Sequence, residues 1–230
     1  QGFTIIPIWE QHQRENRKQI EQFSDAKAAI SYAQDGMQSG FDSRRHEGGY
    51  EERRFAETVS AWKLKELKQV FGSLPSWAQE SELSKNITID DQELSNSFLT
   101  HLYHYLRIQK LEPNANVILE IGGGYGALAR IFKLGKPDCK YILVDLPESL
   151  FYADVFLREN FPSATISYTP SEECDFLLVS VPEIDSLSNV NVDLVINTGS
   201  LQEMTEETNL FWANFFQEKI TTRALYSFNY

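Results

Sequence analysis

The sequence has little of what several classes of protein depend on. Its only cysteines are Cys139 and Cys174, among 230 residues, too few for a disulfide framework or a zinc site. No apolar run approaches the roughly 18 residues of a membrane span, so we expect no transmembrane segment. Nothing near Gln1 resembles a signal peptide, although Gln is not a natural first residue and we expect further residues upstream. These features predict a cytoplasmic protein.

Basic residues are also in short supply. The chain has 33 Asp and Glu against 21 Lys and Arg, a formal net charge of −12. Such a surface is a poor partner for nucleic acid or an anionic membrane. The acidity is uneven, because residues 171–218 contain ten acidic side chains and no basic one. We therefore expect no nucleic-acid partner and repulsion of polyanions from that part of the surface.

Apolar and aromatic residues, in contrast, make up 42% and 13% of the chain, enough for a substantial core. Up to about residue 110 they recur at helical spacing, which predicts helices over 15–34, from about 55 to 71, and after the acidic pair Asp90-Asp91. We expect a helical region over 1–92, covering the site or joining subunits, and a second domain over 93–230. The side chains predicted to face inward are Val59, Trp62, Leu67, Val70 and Phe71 in the second helix and Leu94, Phe98, Leu102 and Leu106 in the third.

An arginine-rich stretch lies between the first two of these helices. Arg44 and Arg45 precede Gly48-Gly49, and Arg53 and Arg54 follow it. Arginine side chains match phosphate groups well. Residues 41–70 nevertheless hold seven basic and six acidic side chains, as a solvated face of mixed charge does. The sequence leaves both interpretations open.

From Asn116 onward, short strand-like runs alternate with helical segments. This alternation is typical of an α/β fold with a parallel sheet. Continuous apolar runs are expected where a strand is buried on both faces. The predicted strands are 117–121, 141–144, 164–169, 175–181, 193–197 and 224–228, and the predicted helices are 127–134, 147–160 and 206–220.

A glycine-rich loop, Glu120-Ile-Gly-Gly-Gly-Tyr-Gly126, follows the first of these strands and opens a helix. This context is typical of nucleotide binding, because glycine permits positive φ and close approach of a ligand, and the helix N-terminus offers N–H donors. Asp145 ends the next strand. A carboxylate there can accept both hydroxyls of a ribose.

Two cofactors fit such a loop. Gly122-x-Gly124-x-x-Ala127 satisfies the dinucleotide fingerprint, but Glu120 would be awkward beside a pyrophosphate and useful beside the sulfonium and ammonium of S-adenosylmethionine. The chain has no Tyr-x-x-x-Lys pair of the kind found in many nicotinamide reductases, and the loop begins late in the chain. The sequence favours S-adenosylmethionine. A tight turn without a ligand is the remaining interpretation.

The runs VILEIGGGYGALARIF, YILVDLPESL and DLVINTGSLQEM resemble the bacterial sugar O-methyltransferases, a group of class I S-adenosylmethionine-dependent enzymes. The similarity covers about residues 95–230. It implies a Rossmann-like sheet, and a sugar hydroxyl as methyl acceptor. It also implies that Glu120, Gly122, Gly124 and Asp145 hold the cofactor, with Leu146 against its adenine or ribose. Because the family's sheet has seven strands and the chain ends just after the strand predicted over 224–228, we expect further strands beyond Tyr230. To the cofactor site we add Gly123, Tyr125 and Asn197.

Methyl transfer to a hydroxyl requires alignment and a base. The segment Asn197–Met204 leaves the strand predicted over 193–197, at the edge where ligands bind in such sheets. Glu203 is our candidate base, and Asn197, Ser200 and Gln202 are candidates for orienting the acceptor or cofactor. Ser200-x-x-Glu203 is also the spacing of a capping box, which would only close a helix N-terminus. Thr205 offers an equally good helix start.

Three further side chains have open assignments. His101 and His104 share one face of the helix before the glycine loop, and we predict an acceptor contact for His101 and a second candidate base in His104. Alternatively, one is exposed and the other packs among aromatic residues. Tyr125 either covers the methionine end of the cofactor or faces solvent. No metal is expected.

The sequence thus predicts an S-adenosylmethionine-dependent O-methyltransferase acting on a sugar of a surface glycan or its precursor, including a nucleotide- or lipid-linked sugar. One alternative is an NAD(P)-dependent sugar-modifying oxidoreductase. Another is a non-catalytic module that keeps the cofactor fold for binding a partner. The helical region could also exchange between subunits, which makes a homo-oligomer a further expectation.

Overall fold

The computed structural model describes residues 7–37, 50–84, 87–89, 91–170 and 173–229. The helices are α1 (Pro7–Ile20), α2 (Ala26–Met37), α3 (Tyr50–Phe71), α4 (Asn96–Leu111), α5 (Ala127–Gly135), α6 (Pro147–Asn160) and α7 (Glu206–Glu218), with 3-10 turns at Val181–Leu187 and Leu201–Glu203. The strands are β1 (Ile87–Ile89), β2 (Gln92–Leu94), β3 (Val117–Ile121), β4 (Lys140–Asp145), β5 (Ile166–Ser167), β6 (Phe176–Ser180), β7 (Asn191–Thr198) and β8 (Thr221–Phe228). None of the described helices is long and apolar enough to cross a membrane.

Six strands form one sheet in the order β5-β6-β4-β3-β7-β8, and every neighbouring pair is parallel. Within this sheet the first strand along the chain is the central β3. The next strands, β4, β5 and β6, lie on one side of it, with β5 at the edge, and β7 and β8 lie on the other side. This confirms the predicted α/β fold with a Rossmann-like sheet. In such sheets the strand order reverses at a crevice beyond the carboxyl ends of the strands. Here that crevice lies between β3 and β7.

The sheet is covered on both faces. Helices α4 and α5 pack on one face, where Leu102 and Phe132 are fully buried against Ile118. Helix α7 packs on the other face through Trp212, which is 1% exposed. Leu64 of α3 belongs to the same core as the sheet residues of the first face, so the N-terminal helices and the sheet share buried surface. The division at residues 92 and 93 stays a prediction.

The helix predicted over 15–34 is wrong as a single element. It is divided into α1 and α2 by residues 21–25. Asp25 begins α2, since its carboxylate accepts a hydrogen bond of 2.8 Å from the Ala28 N–H. A side chain that caps the backbone in this way favours a new helix start over continuation.

The predicted inward face of α3 is also partly wrong. Trp62 is 62% exposed and Val70 is 50% exposed, whereas Ser60, Leu64 and Leu67 are buried. The buried set is spaced at i, i+4 and i+7, the spacing of a single helix face. Gly72 follows the last residue of the helix, with a φ of +85°.

The acidic pair Asp90-Asp91 does not start a helix. Asp91 lies in the turn between β1 and β2 with a φ of +60°, and Asp90 is outside the described residues. Helix α4 begins one turn later, where the Ser95 hydroxyl accepts a 3.0 Å hydrogen bond from the Phe98 N–H. Of the arginine-rich stretch, Arg44, Arg45 and Gly48-Gly49 lie outside the described residues, whereas Arg53 and Arg54 belong to α3. The phosphate interpretation stays a prediction.

Candidate active site

The glycine loop connects the central strand β3 to α5. Gly122, Gly124 and Gly126 have φ values of +72°, +58° and +86°, in the left-handed region that favours glycine. The Gly122 N–H donates to the Val144 carbonyl at 2.8 Å, which holds the loop against the end of β4. A Cβ placed on Gly124 would have no atom within 4 Å. This part of the backbone therefore borders open space, as a ligand cradle must.

The opposite side of the loop is fastened to β7. Asn197 is fully buried, and its side-chain amide donates to the Ile121 carbonyl at 3.0 Å. The Ser200 hydroxyl donates to the same carbonyl at 3.1 Å. A Cβ on Gly122 would lie 2.2 Å from the Ser200 Oγ. Asn197 and Ser200 thus hold the crevice edges of β3 and β7 together.

The capping-box interpretation of Ser200 is wrong. Ser200 makes no side-chain capping bond, whereas Thr205 caps α7 by accepting a 3.1 Å hydrogen bond from the Thr208 N–H. The preceding 3-10 turn leaves Glu203 half-buried. Burial raises the pKa of Glu203, and the charge of Asp145 raises it further. Glu203 is therefore close enough to Asp145 for their charges to interact. Gln202 is exposed on the same turn.

Asp145 closes the other side of the site at the end of β4. Its carboxylate accepts hydrogen bonds of 2.7 Å from the N–H groups of Gly124 and Leu146. Burial raises the pKa of Asp145 to about 6, although these two hydrogen bonds oppose the shift. The Ser149 side chain donates a third hydrogen bond to this carboxylate, which leaves about one of its four acceptor positions for a ligand. Asp145 can therefore still accept a hydroxyl group of a ligand.

Glu120 lies directly beneath the glycine loop. It is 1% exposed, and a Cβ on Gly123 would lie 2.5 Å from its Oε2. The Tyr141 hydroxyl donates to this oxygen at 2.8 Å. Burial raises the pKa of Glu120 to about 8, and the charge of Asp145 adds to the shift. The carboxyl group is thus mostly protonated at neutral pH.

The two histidines of α4 have different surroundings. The half-buried His101 has its Nδ1 2.8 Å from the Ser97 carbonyl. Because a carbonyl only accepts, Nδ1 carries the proton and Nε2 keeps a lone pair. Burial lowers the pKa of His101 to about 4, so the ring is neutral at physiological pH.

His104 is 4% exposed, with its Nδ1 2.9 Å from the Tyr226 hydroxyl and its ring 4.8 Å from that of Phe228. Burial lowers its pKa to about 3, which makes it a weak proton acceptor. These contacts place His104 between α4 and the end of β8, where the Phe228 carbonyl accepts a 2.8 Å hydrogen bond from the Gly199 N–H. A role for His104 as a base stays a prediction. The expectation that one histidine is exposed is wrong.

Tyr125 does not face solvent. It is 4% exposed, its ring packs edge-on against Phe156 at 5.0 Å, and its hydroxyl lies 3.1 Å from the Ser97 Oγ and 3.4 Å from the Gln34 Nε2. The side chain points toward α2, α4 and α6. It therefore joins the glycine loop to the covering helices, and a cofactor contact for Tyr125 stays a prediction.

No sequence pattern predicts that α1 reaches the site. Gln13 donates to the Glu148 Oε2 at 2.9 Å, and Arg17 forms an ion pair with the same carboxylate. Glu148 is 4% exposed and lies in the first turn of α6, three residues after Asp145. Glu148 belongs to the Asp-Leu-Pro-Glu motif, but no pattern in the sequence identified its partners on α1.

The residues present suit a nucleoside cofactor with a positive charge. The loop offers an open glycine cradle, Asp145 offers an acceptor for a ribose hydroxyl, and Leu146 lies half-buried beside it. Carboxyl groups of Glu120, Asp145 and Glu203 surround the crevice. Among the described residues no group of three or more His, Cys, Asp or Glu side chains is arranged to hold a metal ion. Cys139 and Cys174 are both buried thiols outside any disulfide.

Comparison with solved structures finds methyltransferases. The N-terminal domain of EvdMO1 with SAH bound is 16% identical, with a TM-score of 0.42 over 76% of this chain and 63% of its own. Coclaurine N-methyltransferase bound to N-methylheliamine and SAH is 12% identical, with a TM-score of 0.43 over 87% of this chain and 63% of its own. PigF with SAH is 16% identical, with a TM-score of 0.37 over 54% of this chain and 42% of its own.

The chain thus spans less than two thirds of the length of each of these proteins. No protein-family model matches the sequence, and no curated protein matches it. At this distance, a function for this chain has to be argued from its own site.

Proposed function

We propose that this protein is an S-adenosylmethionine-dependent O-methyltransferase. The observation that supports the proposal is the union, at one crevice, of an open glycine cradle at Gly124 with the carboxylate of Asp145. The Gly124 N–H bonds to Asp145 directly, so loop and carboxylate form one preorganised surface. Glu120 and Glu203 add further acidic groups suited to a cationic ligand.

In this proposal Asp145 accepts a ribose hydroxyl, Leu146 contacts the adenosine, and the backbone of residues 122–124 borders the amino-acid end of the cofactor. The bound cofactor supplies an electrophilic methyl group on a sulfonium. The protein contributes alignment in the crevice between β3 and β7, and its cover of helices excludes water. Alignment alone can supply several kcal/mol of the barrier reduction.

Glu203 is the proposed base on the acceptor side. Because burial and Asp145 raise its pKa, its ionised form is a stronger proton acceptor than an exposed glutamate. In this role Glu203 would take the proton of the acceptor hydroxyl, while the cofactor would supply the methyl group and keep the sulfur electron pair. His101 is proposed to orient the acceptor, since its Nε2 can accept a hydrogen bond from a hydroxyl. Gln202 is exposed on the same turn as Glu203 and offers an amide to a polar acceptor.

The proposed acceptor is a sugar hydroxyl of a surface glycan or its cytoplasmic precursor. The resemblance of the three sequence runs supports this choice, and so do the polar groups at the crevice. The dinucleotide alternative remains the rival to be tested, because Gly122, Gly124 and Ala127 satisfy both fingerprints.

The first experiment is calorimetric titration with S-adenosylmethionine, its product S-adenosylhomocysteine (SAH) and NADH. We expect binding of the first two and not of NADH, and Asp145→Asn should weaken SAH binding about 10- to 100-fold, since hydrogen bonds to a charged group contribute about 1.5–3 kcal/mol. Tight NADH binding without SAH binding would overturn the proposal.

The second experiment screens glycan fractions and nucleotide sugars by mass spectrometry for the gain of one methyl group. Once an acceptor is found, Glu203→Gln should lower kcat about 10²- to 10⁴-fold, and His101→Ala should mainly raise KM. His104→Gln tests the second candidate base in the same assays, and because burial and a low pKa make this ring a weak proton acceptor we expect a smaller loss of kcat than in Glu203→Gln. Unchanged kcat in Glu203→Gln would remove Glu203 as the base.

A further inference from the structure

Glu120 is an unusual neighbour for a cofactor loop. Its carboxyl group is 1% exposed and lies immediately below Gly123. In the described parts of the chain, its one recorded hydrogen-bond donor is the hydroxyl of Tyr141, and no Lys, Arg or His forms an ion pair with it. A buried carboxylate without a cation is strongly disfavoured, so the group keeps its proton.

The groups around Glu120 supply no compensating charge. On its own face of the sheet, α4 carries His101 and His104, both neutral because burial lowers their pKa values. Burial holds the pKa of Tyr141 well above its ordinary value, and it raises the pKa values of Tyr105 on α4 and Tyr226 on β8. These hydroxyls also stay neutral. At the crevice Asp145 and Glu203 are acidic, and Asp145 raises the pKa of Glu120 further. The buried cations of α5, Arg130 and Lys133, are held by Asn160 and Asp175. Among the described residues no cation is thus paired with Glu120, and we expect the positive charge to come from the ligand.

We propose that Glu120 is a proton-linked charge sensor, which loses its proton when a sulfonium binds and keeps it when the neutral thioether product binds. This inference rests on the proposed function and deepens it. S-adenosylmethionine and SAH share the ribose and amino-acid groups and differ in the charge on sulfur. The ionised Glu120 stabilises the substrate cofactor selectively. The proton lost on binding goes to solvent. After methyl transfer Glu120 takes up a proton from solvent again and no longer attracts the sulfur by its charge, which favours release of the product.

The consequence is a pH-dependent preference for substrate over product. With a pKa of about 8 for Glu120, the ratio of the SAH Kd to the S-adenosylmethionine Kd should rise between pH 6.5 and 8.5. Linkage predicts about a sixfold rise if the bound cation lowers this pKa by one unit, and about a 20-fold rise if it lowers it by two units. Titration of Asp145 affects both ligands through the shared ribose and largely cancels in the ratio.

The test is calorimetric measurement of both Kd values across this pH range for the wild type and for Glu120→Gln. The variant keeps the size and the neutral form of the side chain, and the ligand amino group titrates equally in both proteins. We expect the ratio to change less than twofold in Glu120→Gln. Tyr141→Phe removes a hydrogen-bond donor that favours the ionised form of Glu120, so the rise in the Kd ratio should move to higher pH.

A measurement on the unaltered protein makes the test independent of variant folding. Titrations at pH 7 in buffers of different ionisation enthalpy should show release of about 0.4 to 0.8 proton on binding S-adenosylmethionine, and markedly less on binding SAH. A pH-independent ratio with equal proton release would overturn the sensor while leaving the methyltransferase proposal intact. Absence of binding by either ligand would instead overturn the proposed function.

Discussion

Two glycines of the same loop allow the structural and the ligand-binding demands on it to be separated. Gly122 and Gly124 both have positive φ, +72° and +58°. A Cβ on Gly122 would lie 2.2 Å from the Ser200 Oγ and 2.3 Å from its Cβ, whereas a Cβ on Gly124 would meet nothing within 4 Å. Gly122→Ala and Gly124→Ala therefore impose a similar backbone cost and a very different steric cost.

The left-handed conformation costs an alanine roughly 1–2 kcal/mol, and overpacking costs a further 1–3 kcal/mol or so. We expect Gly124→Ala to lower the free energy of unfolding by about 1–2 kcal/mol and Gly122→Ala by about 2–5 kcal/mol. For SAH binding we expect the opposite order, with the larger effect from Gly124→Ala. The methyl group at position 124 enters the open crevice, so Gly124→Ala should weaken SAH binding more than its small loss of stability suggests.

Urea unfolding followed by tryptophan fluorescence measures the stability, since Trp212 is buried beneath the sheet. Calorimetry measures SAH binding to each variant. Ser200→Gly provides the control, because in that background Gly122→Ala should cost only the backbone term. Equal destabilisation by the two alanines, or an unchanged cost of Gly122→Ala without the Ser200 side chain, would refute the close packing of Gly122 on Ser200.

Three further predictions concern individual side chains. Because the pKa of Glu120 is raised to about 8, its protonation stabilises the fold below about pH 4.5 and this contribution is lost as pH rises through 8. The wild type should therefore lose about 1–3 kcal/mol more unfolding free energy between pH 6 and 8 than Glu120→Gln does, and parallel curves in urea titrations would contradict this. Glu148→Ala should release α1 and speed hydrogen exchange over residues 13–20, measured by mass spectrometry, and unchanged exchange would show that the ion pair does not hold the helix. Tyr226→Phe should lower the free energy of unfolding by about 1 kcal/mol, because the hydrogen bond to His104 is lost. We expect the SAH affinity to stay unchanged, and weaker SAH binding would indicate that His104 contributes to the cofactor site.

The α/β part of the fold could be predicted because each of its elements has its own local signal. Continuous apolar runs identify β3 and β4, and Pro147 occupies the first turn of α6 where proline is tolerated. The predicted strand 164–169 contracts to Ile166–Ser167, and the last strand extends to Thr221–Phe228. Strand ends depend on pairing with a neighbour, which the sequence does not display.

The errors share a physical origin in the N-terminal region. The apolar residues of α3 allow more than one inward face, and only packing against α4 decides that Leu64 is buried and Trp62 exposed. The acidic pair at 90–91 satisfies the electrostatic preference of a helix start, but the same residue types favour turns. Local preference alone does not choose between the two structures.

The candidate site also contains features that the sequence predicts and contacts that it does not. The positions of Glu120, Asp145 and Glu203 at one edge follow from the rule that parallel strands end together. The sequence does not reveal that Asn197 and Ser200 use their side chains on the Ile121 carbonyl, or that Tyr141 reaches Glu120. These contacts depend on strand register and rotamer, and no periodic pattern encodes them.

The shared attachment at Ile121 also determines how a ligand can reach the crevice. The side chains of Asn197 in β7 and of Ser200 just after it bond to this single carbonyl, and Gly122 bonds to β4, so the floor of the crevice is tied to both neighbouring strands. Separating the strands to admit a nucleoside would break these hydrogen bonds, so we expect a ligand to enter the crevice from another side.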